Sequence, residues 1–463
     1  MIPHIIWARS NFDEPPSPFL RGKTERPLKI TFHTSSFANA TAEEVEAIEA
    51  LRQLSNLPEI EALDTALGTL PHLEVDSFKN GDTHIPIKVT SQNSTIHSAI
   101  PFPNQWPQIA ARLAGQADPL HPETRATLAD LVIARAHCQL KYDILITLSP
   151  QLLAHREKAF VREANPRAPS EAAQIVGLFL RTRDNYTWQA HQNARLAFDR
   201  GLFYWVLVRH RLPNLWRYFS ACVHAEAVRR DDILHLGQSI LVRCARSIEA
   251  RDAIGAQFFV PQGNNARDAI MYHFDYLTLL LVGAFDAQAR VARRAYRIDQ
   301  PSERNSSFRR SEFLDALRNK GANSLHSIVS GQHYQDLLTL LHELRNTIHG
   351  AGLPSLAYRA GAKPEESFVT VLPEYSDRLW QAAERCGSSE KWGLIRMHEV
   401  LLEPYTYAVN LVNECLSQID AIAAETNVTG LFPDGYAIPS LQDRPPDDNI
   451  FGEHIRKRLA VLG

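Results

Sequence analysis

The sequence predicts a multidomain α+β protein, in which an N-terminal α/β domain is followed by a mainly α-helical region. Two observations favour this division. Sixteen of the 27 prolines lie in residues 1–170, whereas only Pro213 and Pro261 lie between 171 and 300. Proline interrupts helices, so its scarcity favours long helices in the second region. Short apolar runs in the first region are typical of strands between helices.

Composition agrees with a globular protein. The 463 residues include 49 Lys and Arg, 52 Asp and Glu, and 44% hydrophobic residues, which excludes a disordered tail, a fibre and a disulfide scaffold. The net charge of −3 excludes a globally basic nucleic-acid coat but allows a local basic cleft. Five cysteines without a C-x-x-C pair indicate reduced thiols. No stretch reaches the ~20 apolar residues of a membrane span, so a soluble, cytoplasmic protein without a membrane partner is expected.

The elements of the first region follow from local patterns. Thr41, with Glu44 three residues later, predicts a capped helix over Ala42–Leu54. Ser170 is expected to cap a helix that ends near Arg181. The remaining predictions are a strand over Leu28–His33, an edge-type strand over His84–Val89, a helix over Pro122–Cys138 and a buried strand over Tyr142–Thr147.

In the second region, apolar residues recur at helical spacing and only Phe368–Leu372 reads as a strand. The predicted helices cover 193–209, 215–229, 231–250, 266–296, 311–318, 332–349, 376–386 and 391–422. Four segments are predicted: an α/β domain (1–187), a helical connecting region (188–265), a helical bundle (266–425) and a loop-rich tail (426–463).

The strongest local signal lies in residues 337–350. Leu337, Leu341, Leu344 and Ile348 form an apolar seam. Beside it, His342, Arg345 and His349 follow at i, i+3 and i+7. Gly350 is expected to end the helix, which leaves His349 where the helix dipole raises an imidazole pKa. Arginine binds phosphate and histidine moves protons near neutral pH, so this pair could cleave RNA through its 2′-hydroxyl without a metal.

Arg-Asn-x-x-His-Gly at the end of an amphipathic helix resembles the HEPN superfamily. The resemblance implies a metal-independent endoribonuclease of single-stranded RNA, without a cofactor, in bacterial defence or a toxin–antitoxin system. It assigns Arg345 to the phosphate, His349 to proton transfer and Asn346 to positioning. It also implies a homodimer with a composite site, and a regulatory or antitoxin protein as a partner. Three residues separate Arg345 from His349, where the family usually has four to six.

Two aspartates on the long predicted helix before this motif belong to the same interpretation. Asp275 and Asp286 are eleven residues apart, so they share one face of the helix. A buried carboxylate needs a partner, and the resemblance suggests that Asp286 or Asp275 orients Arg345. The expected RNA contacts are Arg290, Arg293, Arg294 and His342.

The N-terminal region resembles the later half of a PIN-like nuclease domain, also a Rossmannoid fold, through residues 134–147, Asn165-Pro166 and Pro169–Ala172. Active members hold Mg²⁺ or Mn²⁺ with carboxylates at strand ends. Here His33 stands in place of an Asp, and Leu148 and Ser149 follow Thr147 where an acid is expected. The resemblance therefore implies a degraded metal site, with no metal ligand assigned, and a sensing or scaffolding domain.

Three alternatives stay open at the level of the sequence. The first is a HEPN-like module that binds RNA or protein without catalysis. The second is a metal-dependent PIN-like nuclease in the N-terminal domain, and the third is a structural helical adaptor.

Overall fold

The structure is a computed structural model that describes residues 27–75, 83–91, 93–156, 158–191, 193–225, 228, 231–258, 264–350, 355–358, 366–434, 436, 458–459 and 461–463. The chain forms two units. The N-terminal unit extends to Phe198 and includes Val461–Gly463, and the helical unit extends from Asp199 to Ala460. Most of the predicted tail, residues 437–457, lies outside the described residues.

The N-terminal unit alternates strands and helices. Its strands are β1 (Leu28–Phe32), β2 (Ile60–Asp64), β3 (His72–Val75), β4 (His84–Thr90), β5 (Thr95–Pro101), β6 (Ile144–Ile146), β7 (Pro166–Arg167), β8 (Thr187–His191) and β9 (Ala194–Ala197). Its helices are α1 (Ala42–Leu54), α2 (Trp106–Leu113), α3 (Pro122–Gln139), α4 (Pro150–Ala154), α5 (Ala159–Arg162) and α6 (Pro169–Thr182).

Seven of the described strands form one sheet in the order β5-β4-β3-β2-β1-β6-β7. The five strands from β3 to β7 in that order are parallel, and β4 and β5 add an antiparallel hairpin. From β1 the chain first builds outward through β2 and later returns to the other side of β1 with β6. The carboxyl ends of β1 and β6 therefore define a topological switch point, where doubly wound sheets form a crevice.

The two central strands have the composition of strands covered on both faces. Leu28, Ile30 and Phe32 of β1 are fully buried. All three residues of β6, Ile144–Ile146, are also fully buried. Such near-continuous apolar runs are typical of parallel strands under helices, and they fix the position of the residues that follow them.

Most local predictions for this unit are confirmed. The hydroxyl of Thr41 accepts a hydrogen bond from the Glu44 amide, and α1 has the predicted bounds. Helix α3 and the strands β1, β4 and β6 also lie where they are predicted. However, β4 is not an edge strand, because β5 pairs with its outer side.

The prediction that Ser170 caps its helix is wrong by two residues. Helix α6 begins at Pro169 after Ala168, so Ser170 lies within the first turn. The Ser170 amide and hydroxyl instead donate to the carboxylate of Glu44, each at 3.2 Å. Proline is favoured at the first helical position because its missing N–H would have no partner there.

The start of the helical region is also corrected. Residues 194–197, predicted as helix, form β9, which pairs with β8 in an antiparallel hairpin. This hairpin lies in the N-terminal unit, so the unit extends beyond residue 187. Helix α7 begins only after Asp199, whose carboxylate accepts from the Leu202 amide as its cap.

The helical unit contains long helices and a smaller sheet. Its helices are α7 (Arg200–Arg211), α8 (Pro213–Ala225), α9 (Asp231–Phe258), α10 (Asn264–Ala295), α11 (Ser311–Asn319), α12 (Asn323–Ser330), α13 (Gln332–Gly350), α14 (Pro373–Arg385) and α15 (Pro404–Glu425). Its strands are β10 (Ser355–Tyr358), β11 (Glu366–Val371), β12 (Leu394–Arg396) and β13 (Val400–Leu402).

Helices α9 and α10 pack along each other, and α10 also contacts α13 and α15. Buried polar contacts fix these helices. The Gln288 amide of α10 donates to the Ile419 carbonyl of α15 at 2.8 Å. The Tyr407 hydroxyl of α15 donates to the Leu340 carbonyl of α13 at 3.0 Å. Because each buried donor has a specific acceptor, the helices are held in one register.

The predicted helix over 391–422 is wrong in its first third. Strands β12 and β13 form a hairpin there, and β13 also pairs with β11. The described sheet has the order β10-β11-β13-β12. Together, a sheet-centred N-terminal unit and a mainly helical unit make the protein a mixed α+β protein, as the distribution of prolines and apolar runs predicts.

Candidate functional site

Helix α13 presents the motif residues beside its buried seam. Three apolar residues at helical spacing are buried as predicted: Leu337, Leu341 and Leu344. Arg345 and Asn346 follow this seam and are half-buried. The helix includes Gly350, while the side chain of His349 lies outside the described residues.

The Arg345 guanidinium makes few contacts with the described part of the chain. Its Nη1 donates to Oδ1 of Asn346 over 3.4 Å, a long hydrogen bond. Its Nε is buried and has no hydrogen-bond partner among the described residues. An unsatisfied buried N–H costs free energy unless a ligand accepts from it. The side chain therefore retains donors for an anion.

Asp286 of α10 is the carboxylate beside Arg345. It is half-buried, and burial raises its pKa, whereas the positive charges of four arginines oppose that rise. In decreasing order of effect, these arginines are Arg290, Arg345, Arg243 and Arg309. Asp286 is therefore within electrostatic range of Arg345 and of three further arginines, although no ion pair joins it to any of them among the described residues.

Asp275 has different surroundings. Its carboxylate is half-buried, and its Oδ1 has no hydrogen-bond partner within the described ranges. Burial raises its pKa, without an opposing arginine. Of the two aspartates that the sequence offers as partners of Arg345, the structure brings Asp286 to it.

Arg243 of α9 lies against α10 at Gly283, three residues before Asp286. Its guanidinium lies against the backbone of Gly283, where a Cβ would be 2.6 Å from Cζ of Arg243. Real Cβ atoms do not approach that closely, so a side chain at position 283 would force the Arg243 guanidinium to move. The Nε of Arg243 donates to Ser239 at 3.0 Å. Gly283 thus leaves room for the Arg243 guanidinium beside α10, one helical turn before Asp286.

Arg309 and Arg378 extend the positive charge around α13. Arg378 forms a 3.1 Å ion pair with the buried Glu343. The Arg309 side chain has no hydrogen bond or ion pair with any residue that the structure describes. Desolvation lowers its pKa; Glu343 and Asp286 oppose this change, while Arg345 and Arg378 reinforce it.

We call this set the arginine cluster. It contains five arginines and two carboxylates, which are Arg243, Arg290, Arg309, Arg345, Arg378, Asp286 and Glu343. Its formal charge is therefore 5 − 2 = +3. Positive charge in excess of carboxylates is what a phosphate-binding surface requires.

His342 is buried next to this cluster. It is only 8% exposed, and burial, together with Arg309 and Arg345, lowers its pKa to about 3. The imidazole is therefore neutral at physiological pH. In this state it offers a phosphate no charge, and it can contribute only a hydrogen bond.

The three arginines predicted on α10 have different contacts. Arg290 is exposed and faces Asp286. Arg293 donates to the carbonyls of Asp299 and Pro301. Arg294 forms ion pairs with two acids at 3.1 and 3.2 Å, Glu303 and Asp232. The charges of Arg290 and Arg345 therefore act on the same carboxylate, while Arg293 and Arg294 bind nearby loops and helices.

The N-terminal unit has a second cluster of polar side chains, at the switch point of the sheet. His33 follows β1 and Thr147 follows β6. The Nδ1 of His33 lies 3.0 Å from Oγ1 of Thr147, and both side chains are buried. The amide of Ser149 also donates to Oγ1 of Thr147 at 3.0 Å. The structure thus brings together the residues at which the PIN resemblance departs.

Asp130 of α3 completes this cluster. Its Oδ1 lies 3.5 Å from Nε2 of His33, and its Oδ2 accepts from the Ser149 hydroxyl. Burial lowers the pKa of His33, and Asp130 opposes that shift. Burial also raises the pKa of Asp130, against the effects of Ser149 and His33. Both shifts favour the neutral forms, so this edge is a hydrogen-bonded network.

Asp64, at the end of β2, forms a separate pair on the same edge. It is buried, and Arg52 binds its Oδ2 at 2.8 Å. The hydroxyl of Thr34 donates to its Oδ1 at 2.5 Å. Within the described ranges, no group of three or more His, Cys, Asp and Glu side chains could hold a metal ion.

Comparison with known proteins adds no relative: no family model, curated protein or solved structure matches the chain. None of the described helices is both long enough and apolar enough to cross a membrane.

Sequence reasoning missed three members of the arginine cluster: Arg243, Arg309 and Arg378. They lie on α9, on the segment before α11 and on α14, so no local pattern links them to α13. One signal was available, because Gly283 interrupts an otherwise strong helix-forming segment. A glycine inside a helix weakens it by roughly 1 kcal/mol relative to alanine, which indicates close approach by another group.

Proposed function

We propose that the helical unit is a metal-independent endoribonuclease that cleaves single-stranded RNA. The observation that carries this proposal is the arginine cluster. Arg345 is half-buried, and its Nε has no hydrogen-bond partner among the described residues. Its positive charge and those of three further arginines act on one carboxylate, that of Asp286. Such a site favours an anion that presents several oxygens, as a phosphodiester does.

The chemistry requires little beyond positioning. The 2′-hydroxyl of the substrate attacks the adjacent phosphorus, and its proton passes to a base. The bond from phosphorus to the 5′-oxygen breaks, and that oxygen takes a proton from an acid. The products are a 2′,3′-cyclic phosphate and a 5′-hydroxyl, with no net change in protons or electrons.

In this proposal, the residues of α13 divide the work. Arg345 binds the phosphate and stabilises the charge that develops on its oxygens. His349 transfers protons, because imidazole exchanges them near neutral pH, and Asn346 positions the guanidinium that it contacts. Asp286 orients Arg345 through their opposite charges.

One Arg/His pair gives a single imidazole for two proton transfers. The HEPN resemblance provides a second pair through a homodimer, which we include in the proposal. It also suggests a cytoplasmic, bacterial defence or toxin–antitoxin setting, in which the N-terminal unit regulates the nuclease and an antitoxin protein restrains it.

A cleavage assay in EDTA tests this proposal. Purified full-length protein is incubated with end-labelled single-stranded RNA, and Arg345→Ala and His349→Ala are compared with the wild type. Both variants are expected to lose cleavage. Arg318→Ala is the matched control, because Arg318 forms an exposed ion pair with Asp315. This variant is expected to cleave RNA as the wild type does.

The same assay separates the alternatives. RNA that is bound but stays intact at high protein concentration would favour a binding module that lacks catalysis. Cleavage that requires Mn²⁺ and survives both substitutions would place a nuclease in the N-terminal unit. If the two substitutions change only stability, the helical unit is a structural adaptor.

A further inference from the structure

Residues 461–463 belong to the N-terminal unit, although the whole helical unit separates them from the rest of that unit in the sequence. Val461 and Leu462 are helical, and Leu462 is only 2% exposed. We call these three residues the 461–463 segment. Burial of a leucine side chain is favourable, so the segment is docked on the unit to which it belongs.

Helix α6 leaves room for this segment at Gly177. A Cβ on Gly177 would be 2.2 Å from the carbonyl oxygen of Leu462, far closer than real Cβ atoms come to any atom. The obstructing atom is backbone, so it cannot rotate away as the end of a side chain can. Glycine within a helix is unfavourable relative to alanine, and here its lack of a side chain permits the close approach of a second piece of backbone.

Arg181, one helical turn after Gly177, binds the same carbonyl oxygen. Its Nη1 donates to the oxygen of Leu462 at 2.5 Å, and its side chain is buried. Carbonyl groups in the last turn of a helix have no partner within that helix. A guanidinium suits them because the helix dipole is negative at that end. Gly177 and Arg181 therefore both fit one main-chain carbonyl, the first by its shape and the second by a charged hydrogen bond.

We propose that Gly177 and Arg181 form a docking site for the 461–463 segment, and that the docked segment is a latch that protects α6 against local opening. If the segment leaves, the space at Gly177 opens and the buried Arg181 loses an acceptor, which is costly. Helix α6 should then open more often. The latch goes beyond the proposed ribonuclease and does not depend on it, because it uses no residue of the arginine cluster.

Hydrogen exchange of the full-length protein tests the latch. Mass spectrometry follows the amides of α6 in the wild type, Gly177→Ala, Leu462→Lys and the double variant. Leu462→Lys places a charge where an apolar side chain is buried and beside a second cation, Arg181, so it should release the segment. Gly201→Ala is the matched control, because a Cβ there would make only an ordinary contact of 3.6 Å with Asp199.

The effect of Gly177→Ala should reverse between the two backgrounds. With the segment docked, the new Cβ meets the Leu462 carbonyl, so α6 should exchange about fivefold faster or more. With the segment released by Leu462→Lys, the other close neighbour is Nη1 of Arg181, the end of a flexible side chain. The same substitution should then slow exchange about fivefold, which corresponds to the ~1 kcal/mol by which a helix prefers alanine to glycine. Leu462→Lys alone should accelerate exchange of α6 at least about tenfold.

Several results would overturn the latch. They are an equal acceleration by Gly177→Ala in both backgrounds, wild-type exchange of α6 in Leu462→Lys, and acceleration by Gly201→Ala as large as that by Gly177→Ala. Circular dichroism checks folding. If Leu462→Lys does not fold, Arg181→Met decides, since it removes the donor and retains an apolar side chain. Faster exchange of α6 in that variant supports the latch, and wild-type exchange contradicts it. None of these measurements involves RNA, so the ribonuclease proposal can fail while the latch stands.

Discussion

The imidazole of His33 lies 3.0 Å from the hydroxyl of Thr147 and thereby joins the carboxyl ends of β1 and β6. Both side chains are buried, and Asp130 lies on the other side of the ring, 3.5 Å from Nε2. The crevice of the parallel sheet therefore contains a network in which a neutral imidazole bridges a hydroxyl and a carboxyl group. We expect this network to make the stability of the N-terminal unit depend on pH.

The first prediction concerns that sensitivity. Burial lowers the pKa of His33 below its ordinary value of 6.5, so the unfolded chain binds more protons around that pH. The free energy of unfolding should therefore fall as the pH drops through this value. His33→Asn retains a hydrogen-bonding group without titrating and should lose less stability on acidification. Urea unfolding at about pH 7.5 and about pH 5.5 measures the difference; equal losses in both proteins would contradict the prediction.

The second prediction separates the two aspartates of α10. Asp286→Asn removes the negative charge among four arginines, so RNA cleavage should fall by at least about tenfold, or ~1.4 kcal/mol in the barrier. Affinity for non-cleavable RNA should rise, because the net charge becomes more positive. Cleavage kinetics and anisotropy titrations give the two values. A parallel fall in both would contradict the orienting role of Asp286.

Asp275→Asn is the matched control for that experiment. Burial raises the pKa of Asp275 without an opposing arginine, so folding disfavours its charged form. The Asp275→Asn protein should therefore unfold at the same urea concentration as the wild type or at a higher one. Its rate of RNA cleavage should stay within about twofold of the wild-type rate.

The third prediction concerns the ion pair that connects α14 to α13. Arg385 donates to both oxygens of the buried Asp336, at 2.6 and 2.8 Å. Burial acts to raise the pKa of Asp336, but hydrogen bonds from Arg385 and Gln332 outweigh it and lower the pKa. Arg385→Ala should reduce the free energy of unfolding by about 2 kcal/mol at neutral pH. Removing the exposed Arg318 should change it by less than about 0.5 kcal/mol.

The effect of Arg385→Ala has a defined pH dependence. Because folding lowers the pKa of Asp336 from 3.8, the stability that the pair contributes is present above that pH. It is lost as the pH falls through the lowered value. Denaturant titrations of both proteins should therefore converge in acid, and a constant difference down to the lowest pH would contradict the ion-pair explanation.

The fourth prediction concerns the cysteines. Burial raises the pKa of Cys222 to about 12 and that of Cys386 to about 11, and it also raises those of Cys244 and Cys415. The thiolate is the reactive form, so these four should resist a thiol reagent in the native state. Cys138 is half-exposed and should account for the native reaction. Mass spectrometry of the alkylated protein identifies the modified residue, and rapid labelling of Cys222 would contradict the buried assignment.

In the N-terminal unit, the sequence predicted those helices and strands that are determined by neighbouring residues. The cap at Thr41 and the apolar run of β6 depend only on neighbouring residues, and both elements form as predicted. Strands β2, β3 and β5 were not predicted, because pairing within the sheet determines them more than their local sequence does.

The correction at β12 and β13 has a related cause. Leu394, Ile395 and the run Val400–Leu402 suit either a helix face or a strand, because short apolar runs are ambiguous. Pairing with β11 decides in favour of strands. At the site, helical spacing placed Asp275 and Asp286 on one face of their helix, and the HEPN resemblance suggested one of them as the partner of Arg345. Only the packing of α9 on α10 shows that Arg243 lies there too, in the space left by Gly283.

The central claim is that the 2′-hydroxyl of RNA is the nucleophile in a reaction that depends on Arg345 and His349. The most direct measurement uses an RNA oligonucleotide that carries one 2′-deoxynucleotide at a mapped cleavage position, incubated with the protein in EDTA. Cleavage is expected to stop at that bond and to continue at other bonds, with 2′,3′-cyclic phosphate on the new ends. Equal cleavage at the 2′-deoxy position, or cleavage only when Mn²⁺ is added, would contradict the claim.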